Sequence, residues 1–86
     1  MKPEELLRRL RAGHTANVPF EDFCRLVEGF GFELTRVAGS HHIYVEPRVA
    51  LALNLQPLNG EVKGFQAKQF LKLVDRNGLE WRGGHD

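Results

Sequence analysis

Between Phe20 and Val45 the hydrophobic period changes abruptly from helical to extended, and this switch limits the fold more than any other feature of the chain. Phe20, Phe23, Val27 and Phe30 recur at i, i+3, i+7 and i+10, one face of an α-helix, with Cys24 and Leu26 widening the stripe. Pro19 is placed to open that helix, Glu21 and Asp22 occupy its first turn, and Gly29 and Gly31 end it. From Phe32 onward apolar residues alternate instead. Phe32 and Leu34 alternate with Glu33 and Thr35; after Gly39-Ser40, Ile43 and Val45 alternate with His42, Tyr44 and Glu46. The pattern predicts a helix leading into an antiparallel hairpin.

The remaining segments complete an α+β order. Pro47-Arg48 marks a further turn, and Leu51, Leu53 and Leu55, set against Ala50, Ala52 and Asn54, predict a third strand of a meander. After breaks at Pro57 and Asn59-Gly60, the spacing of Ala67, Phe70, Leu71 and Val74 predicts a last helix closed by Asn77-Gly78. Upstream, Pro3 opens a short helix with one narrow stripe, Leu6, Leu7 and Leu10, and Gly13 stops it. Such a helix is marginal in water unless its stripe docks, so it reads as an appendage. The expectation is a single domain over residues 1–86, with a helical extension at 1–13 and a core at 19–78. A three-stranded sheet covered on one face assigns Ile43, Val45, Leu51, Leu53 and Leu55 to the core. His42 and Tyr44 then point to the open face, and His41 has the opposite parity.

Composition narrows the function classes. A chain of 86 residues supports one modest core. Its apolar and charged fractions, 42 % and 27 %, are those of a globular protein rather than of a disordered or membrane segment. A net charge of +1 rules out a global polybasic surface, so any nucleic-acid site rests on local charge. Cys24 is alone, and neither C-x-x-C nor H-E-x-x-H occurs, so no disulfide, metal or cofactor is expected. Met1-Lys2-Pro3-Glu4-Glu5 has acids where a signal peptide needs a basic start, and no apolar run is long enough to span a bilayer. A cytoplasmic protein without a membrane segment is expected.

Three stretches carry a family resemblance: Gly39-Ser40-His41-His42-Ile43-Tyr44-Val45, Asn54-Leu55-Gln56, and Gln66 to Val74. Together they resemble the HicA family of type II toxin–antitoxin systems over roughly the last two thirds of the chain, and the helix beginning at Phe20 also fits. The resemblance implies a double-stranded-RNA-binding-domain-like fold, helix, three strands, helix, to which the first helix is an addition. It also implies a ribosome-independent mRNA interferase that acts without metal, and a HicB-like antitoxin as partner. The family motif Gly-Ser-x-His places its histidine at His42, leaving His41 in the variable position.

The chemistry of His42 suits that role. Cleaving RNA without metal requires a base to take the proton of a 2′-hydroxyl, and an imidazole with an ordinary pKa of ~6.5 is substantially neutral at cellular pH. Gly39 and Ser40 can hold a phosphate through turn N–H groups and a hydroxyl, although the same dipeptide serves plain turns. Tyr44, on the face assigned to His42, is a candidate base-stacking residue. Lys68, Lys72 and Arg76 form a stripe on the last helix that, with Lys63, can contact RNA phosphates; the same pattern also suits a solvated helix face. For a general acid the chain offers His41, Lys63, His14 and His85, none marked by a motif. A non-catalytic RNA-binding module and a partner-docking protein are the alternatives to a ribonuclease.

Overall fold

A three-stranded antiparallel sheet packs on one face against helices in the computed structural model, which describes residues 1–83. In chain order the elements are α1 (Pro3–Arg11), β1 (Val18–Pro19), α2 (Phe20–Gly29), β2 (Glu33–Ala38), β3 (His41–Glu46), β4 (Leu51–Leu55), β5 (Glu61–Val62) and α3 (Gly64–Arg76). The sheet order is β2-β3-β4, and β1 pairs with β5 in a separate two-stranded ribbon.

The two central helices follow their sequence periods. Phe23, Leu26, Val27 and Phe30 from α2 meet Ala67, Phe70, Leu71 and Val74 from α3, all of them buried. Phe70 is the centre of an aromatic group, with the rings of Phe23, Phe30 and Phe32 edge-on to it at 5.5, 5.6 and 5.8 Å. Such pairs add about 0.5–1.5 kcal/mol each beyond the area they bury. Trp81 closes one end of this core against Phe30. Its indole lies so close over Gly29 that a Cβ there would meet it at 2.2 Å, so this position requires glycine.

The first helix is more than an appendage. Leu6 and Leu10 are only 2 % exposed and belong to the core, Leu7 packs at its edge, and Arg11 pairs with Asp75 of α3 at 2.8 Å. Docking of the leucine stripe supplies what a nine-residue helix lacks in isolation.

The sheet corrects one expectation. In the β3–β4 register Tyr44 lies opposite Leu53, His42 opposite Leu55 and Glu46 opposite Leu51, so these six residues share the face turned to the helices. Ile43 and Val45, expected in the core, pair with Asn54 and Ala52 on the open face and are half-buried. The connection sets this outcome. The four residues Pro47 to Ala50 separate Glu46 from Leu51, which fixes the pairing and carries the alternate residues of β3 inward with the leucines of β4.

A polar strand face can enter the core because each polar group finds a partner. The Tyr44 hydroxyl donates to Glu28 Oε2 at 3.2 Å. The side chain of Glu46, 0 % exposed, accepts from the Arg48 backbone N–H at 2.8 Å and from the Arg48 guanidinium. Burial alone would raise the Glu46 carboxyl, but the hydrogen bonds and charge of Arg48 outweigh it and hold the group below the usual glutamate range.

The ribbon of β1 and β5 was not expected. It pairs Val18 with Val62 and Pro19 with Glu61, and joins the start of α2 to the segment that leads into α3. Phe20 N–H extends the link by donating to the Gly60 carbonyl at 2.9 Å.

Candidate active site around His42

The Gly39-Ser40 turn is a two-residue hairpin loop between the paired residues Ala38 and His41. Gly39 has φ +60° and Ser40 does not share a positive φ, the arrangement that favours glycine at the first loop position. This tight turn puts His42 at the second position of β3, on the helix-facing side and close to the end of the sheet. The His42 ring is therefore half-buried rather than enclosed.

Two contacts hold the ring. Nδ1 lies 3.1 Å from the Ser40 carbonyl oxygen. A carbonyl can only accept, so in the neutral imidazole this contact puts the proton on Nδ1 and the lone pair on Nε2. The ring also meets Phe20, the first residue of α2, with centroids 4.9 Å apart and planes at 65°.

His42 opens into a groove of about 700 Å³ whose walls are Pro19, Phe20, Glu21 and Asp22 on one side and Pro57, Asn59 and Gly60 on the other. The Phe20–Gly60 hydrogen bond ties the two walls together. Among the described residues, the ionisable groups lining it besides His42 are Glu21 and Asp22. Asp22 is engaged, with Oδ1 2.8 Å from the Arg25 guanidinium. Glu21 is exposed and has no ion pair among the described residues.

The other expected site residues are distributed differently. Gly39 and Ser40 are exposed at the tip of the turn beside His42. His41 is exposed on the open face, where its Nδ1 lies 3.1 Å from Asn54 Oδ1, so the two adjacent histidines serve opposite sides of the sheet. Tyr44 does not present a stacking surface: it is 2 % exposed and belongs to the core. Burial first, and then the neighbouring Cys24 and Glu28, push its phenol well above the usual tyrosine range. Burial likewise raises the half-buried Cys24 thiol.

The basic residues lie outside the groove. Lys68 and Lys72 are exposed on α3, and Lys72 with Arg76 borders a separate hollow against Leu51 and Leu53. Lys63 stands at the position just before α3, with its ammonium 5.9 Å from the Phe65 ring centroid. His14 is exposed between α1 and β1 and does not line the groove, while His85 lies outside the described residues. Among the described residues no three His, Cys, Asp or Glu side chains are grouped to hold a metal ion, and no helix is long and apolar enough to cross a membrane.

Phe20, Glu21, Asn59 and Gly60 line the site although no motif in the sequence marks them for it. Phe20 carried the signature of a core residue, which it also is, and Asn59-Gly60 carried that of a turn. What unites them is the β1–β5 ribbon.

A three-stranded sheet under helices, with a tautomer-fixed histidine opening into a groove at the start of α2, defines a small α+β protein with an imidazole-centred candidate site. The model of the family described as HicA toxin of bacterial toxin–antitoxin matches residues 20–75, and the chain belongs to that family. The match starts at the first residue of α2, leaving α1 and β1 outside it. No curated protein and no solved structure matches the chain significantly.

Proposed function

We propose that this chain is an endoribonuclease of the mRNA-interferase kind, cleaving RNA without a metal, with His42 as general base, and that a HicB-like antitoxin neutralises it by covering the His42 groove. The observation that carries this reading is the Nδ1 contact of His42 with the Ser40 carbonyl, which leaves Nε2 as a proton acceptor at an open groove. Family membership supports the toxin role. The order α2, β2, β3, β4, α3, with both helices on one face of the sheet, agrees with a double-stranded-RNA-binding-domain-like arrangement.

In this mechanism Nε2 takes the proton of a 2′-hydroxyl, the 2′-oxygen attacks the adjacent phosphorus, and the bond to the 5′-oxygen breaks. Water entering the open groove supplies the proton to the leaving oxygen. The products are a 2′,3′-cyclic phosphate and a 5′-hydroxyl. Lys63, Lys68 and Lys72, together with Gly39, Ser40 and His41 at the turn, contact the RNA backbone outside the groove. Their contribution is largely electrostatic and falls with added salt.

The test incubates purified wild type with RNA in the presence of a chelator and identifies the new ends by mass spectrometry. Cleavage with cyclic-phosphate ends is expected. Dependence on a divalent ion, or 5′-phosphate ends, would overturn the mechanism.

A further inference from the structure

We propose that the groove beside His42 is a nucleobase subsite, in which Glu21 selects a base whose Watson–Crick edge offers amino hydrogens, guanine above all. This rests on the reading of the chain as a ribonuclease and goes beyond it by naming what the groove recognises.

The groove fits a base better than a phosphate. Among the described residues its charged lining is acidic, Glu21 and Asp22, with no lysine or arginine, and its volume of about 700 Å³ is that of an ordinary ligand cleft. A phosphate seated within it, rather than at its His42 edge, would meet the carboxylates of Glu21 and Asp22, and the Arg25 guanidinium and the Met1 ammonium beside it are already paired with Asp22. A nucleobase is neutral, and Pro19, Phe20 and Pro57 offer it compact apolar walls.

Selectivity follows from what the groove has available for hydrogen bonding. Asp22 is committed to Arg25, whereas Glu21 is exposed and unpaired among the described residues. An ionised carboxylate only accepts. Guanine presents N1–H and the N2 amino group side by side and can satisfy both carboxylate oxygens. Adenine and cytosine offer one amino group each. Uracil flanks its single N–H with two carbonyl oxygens, which a carboxylate repels. Because His42 borders the same groove, a base seated there lies next to the bond being cut and fixes the approach of its sugar to Nε2.

The experiment digests a pool of short single-stranded RNAs of random sequence with wild type, Glu21→Ala and Glu21→Gln, and sequences the cut ends. Wild type should show one position beside the cut where guanine is favoured over uracil by roughly ten- to a hundredfold, the discrimination of a good bidentate pair. Glu21→Ala should still cut, with that preference flattened to within a few-fold. Glu21→Gln, which can also donate to a carbonyl, should accept uracil. Thermal melts establish that both variants fold, as expected for an exposed position.

An unchanged base preference in Glu21→Ala would overturn the proposal while leaving the ribonuclease reading standing. So would an equal loss of cleavage at all four bases, which would move Glu21 from selection to the chemistry. Absence of cleavage by wild type would overturn the parent reading, and this one with it.

Discussion

The ring of Phe20 stands edge-on to His42 with centroids 4.9 Å apart, joining the first residue of α2 to the second residue of β3. Phe20 is itself only 9 % exposed and is fixed by its backbone bond to Gly60, so the imidazole rests against a rigid wall. With the Ser40 carbonyl holding Nδ1, the ring is constrained on two sides. Phe20→Leu keeps an apolar residue but removes the ring contact. It is expected to cost about 1–2 kcal/mol of stability. RNA cleavage by the folded variant should fall about tenfold, because a misplaced base loses alignment with its hydroxyl. Cleavage rates beside urea denaturation separate the two effects, and a fully active folded variant would show that the contact does not position His42.

Tyr44 is a structural residue in this account. Phe in its place removes only the hydroxyl that donates to Glu28, at a cost of about 1 kcal/mol. Tyr44→Leu removes the aromatic ring and should cost about 2–3 kcal/mol through lost packing. Both variants should cut RNA at rates within about threefold of wild type once corrected for the folded fraction, whereas loss of a stacked base costs about 1–3 kcal/mol of binding. A selective loss of RNA affinity in a folded Tyr44→Leu protein would return Tyr44 to the RNA surface.

The Tyr44 case shows where sequence reading stops. The stripes of α2 and α3 were legible because each repeats over two or more turns and no tertiary contact is needed to see it. The hairpin was legible from Gly39-Ser40, and the shared parity of His42 and Tyr44 was correct. The direction of that parity was not, because Ile43 and Val45 are more apolar than the residues that turn inward. Glu46 enters the core only with Arg48 beside it, and Tyr44 only with Glu28 in reach of its hydroxyl. The leucines of β4 and the length of the Pro47 to Ala50 connection held the decisive information. The ribbon of β1 and β5 left no trace, since two-residue strands have no period. The groove it builds was therefore invisible, although His42 itself was not.

Acid should destabilise the fold in a way traceable to Glu46. Its folded-state pKa is lowered, so its contribution is fully present above the ordinary glutamate value and is lost as pH falls from there through the lowered folded value. Glu46→Gln leaves the Arg48 guanidinium without its carboxylate and should be less stable at neutral pH. The gap between the two proteins should narrow as acid protonates the wild-type side chain. Urea midpoints measured from pH 7 downward test this, and a gap independent of pH would contradict the assigned role.

The two adjacent histidines give the most direct test of the central claim, because the sheet turns them to opposite sides. His42 lines the groove with no hydrogen bond at Nε2 among the described residues, while His41 stands on the open face with Asn54. The measurement is the RNA cleavage rate of purified His42→Ala and His41→Ala, with matched circular dichroism spectra establishing that both are folded. Loss of a general base is expected to lower the rate by about 10²–10⁴-fold in His42→Ala, with His41→Ala within a few-fold of wild type. A folded His42→Ala protein that cuts RNA as fast as wild type would contradict the account.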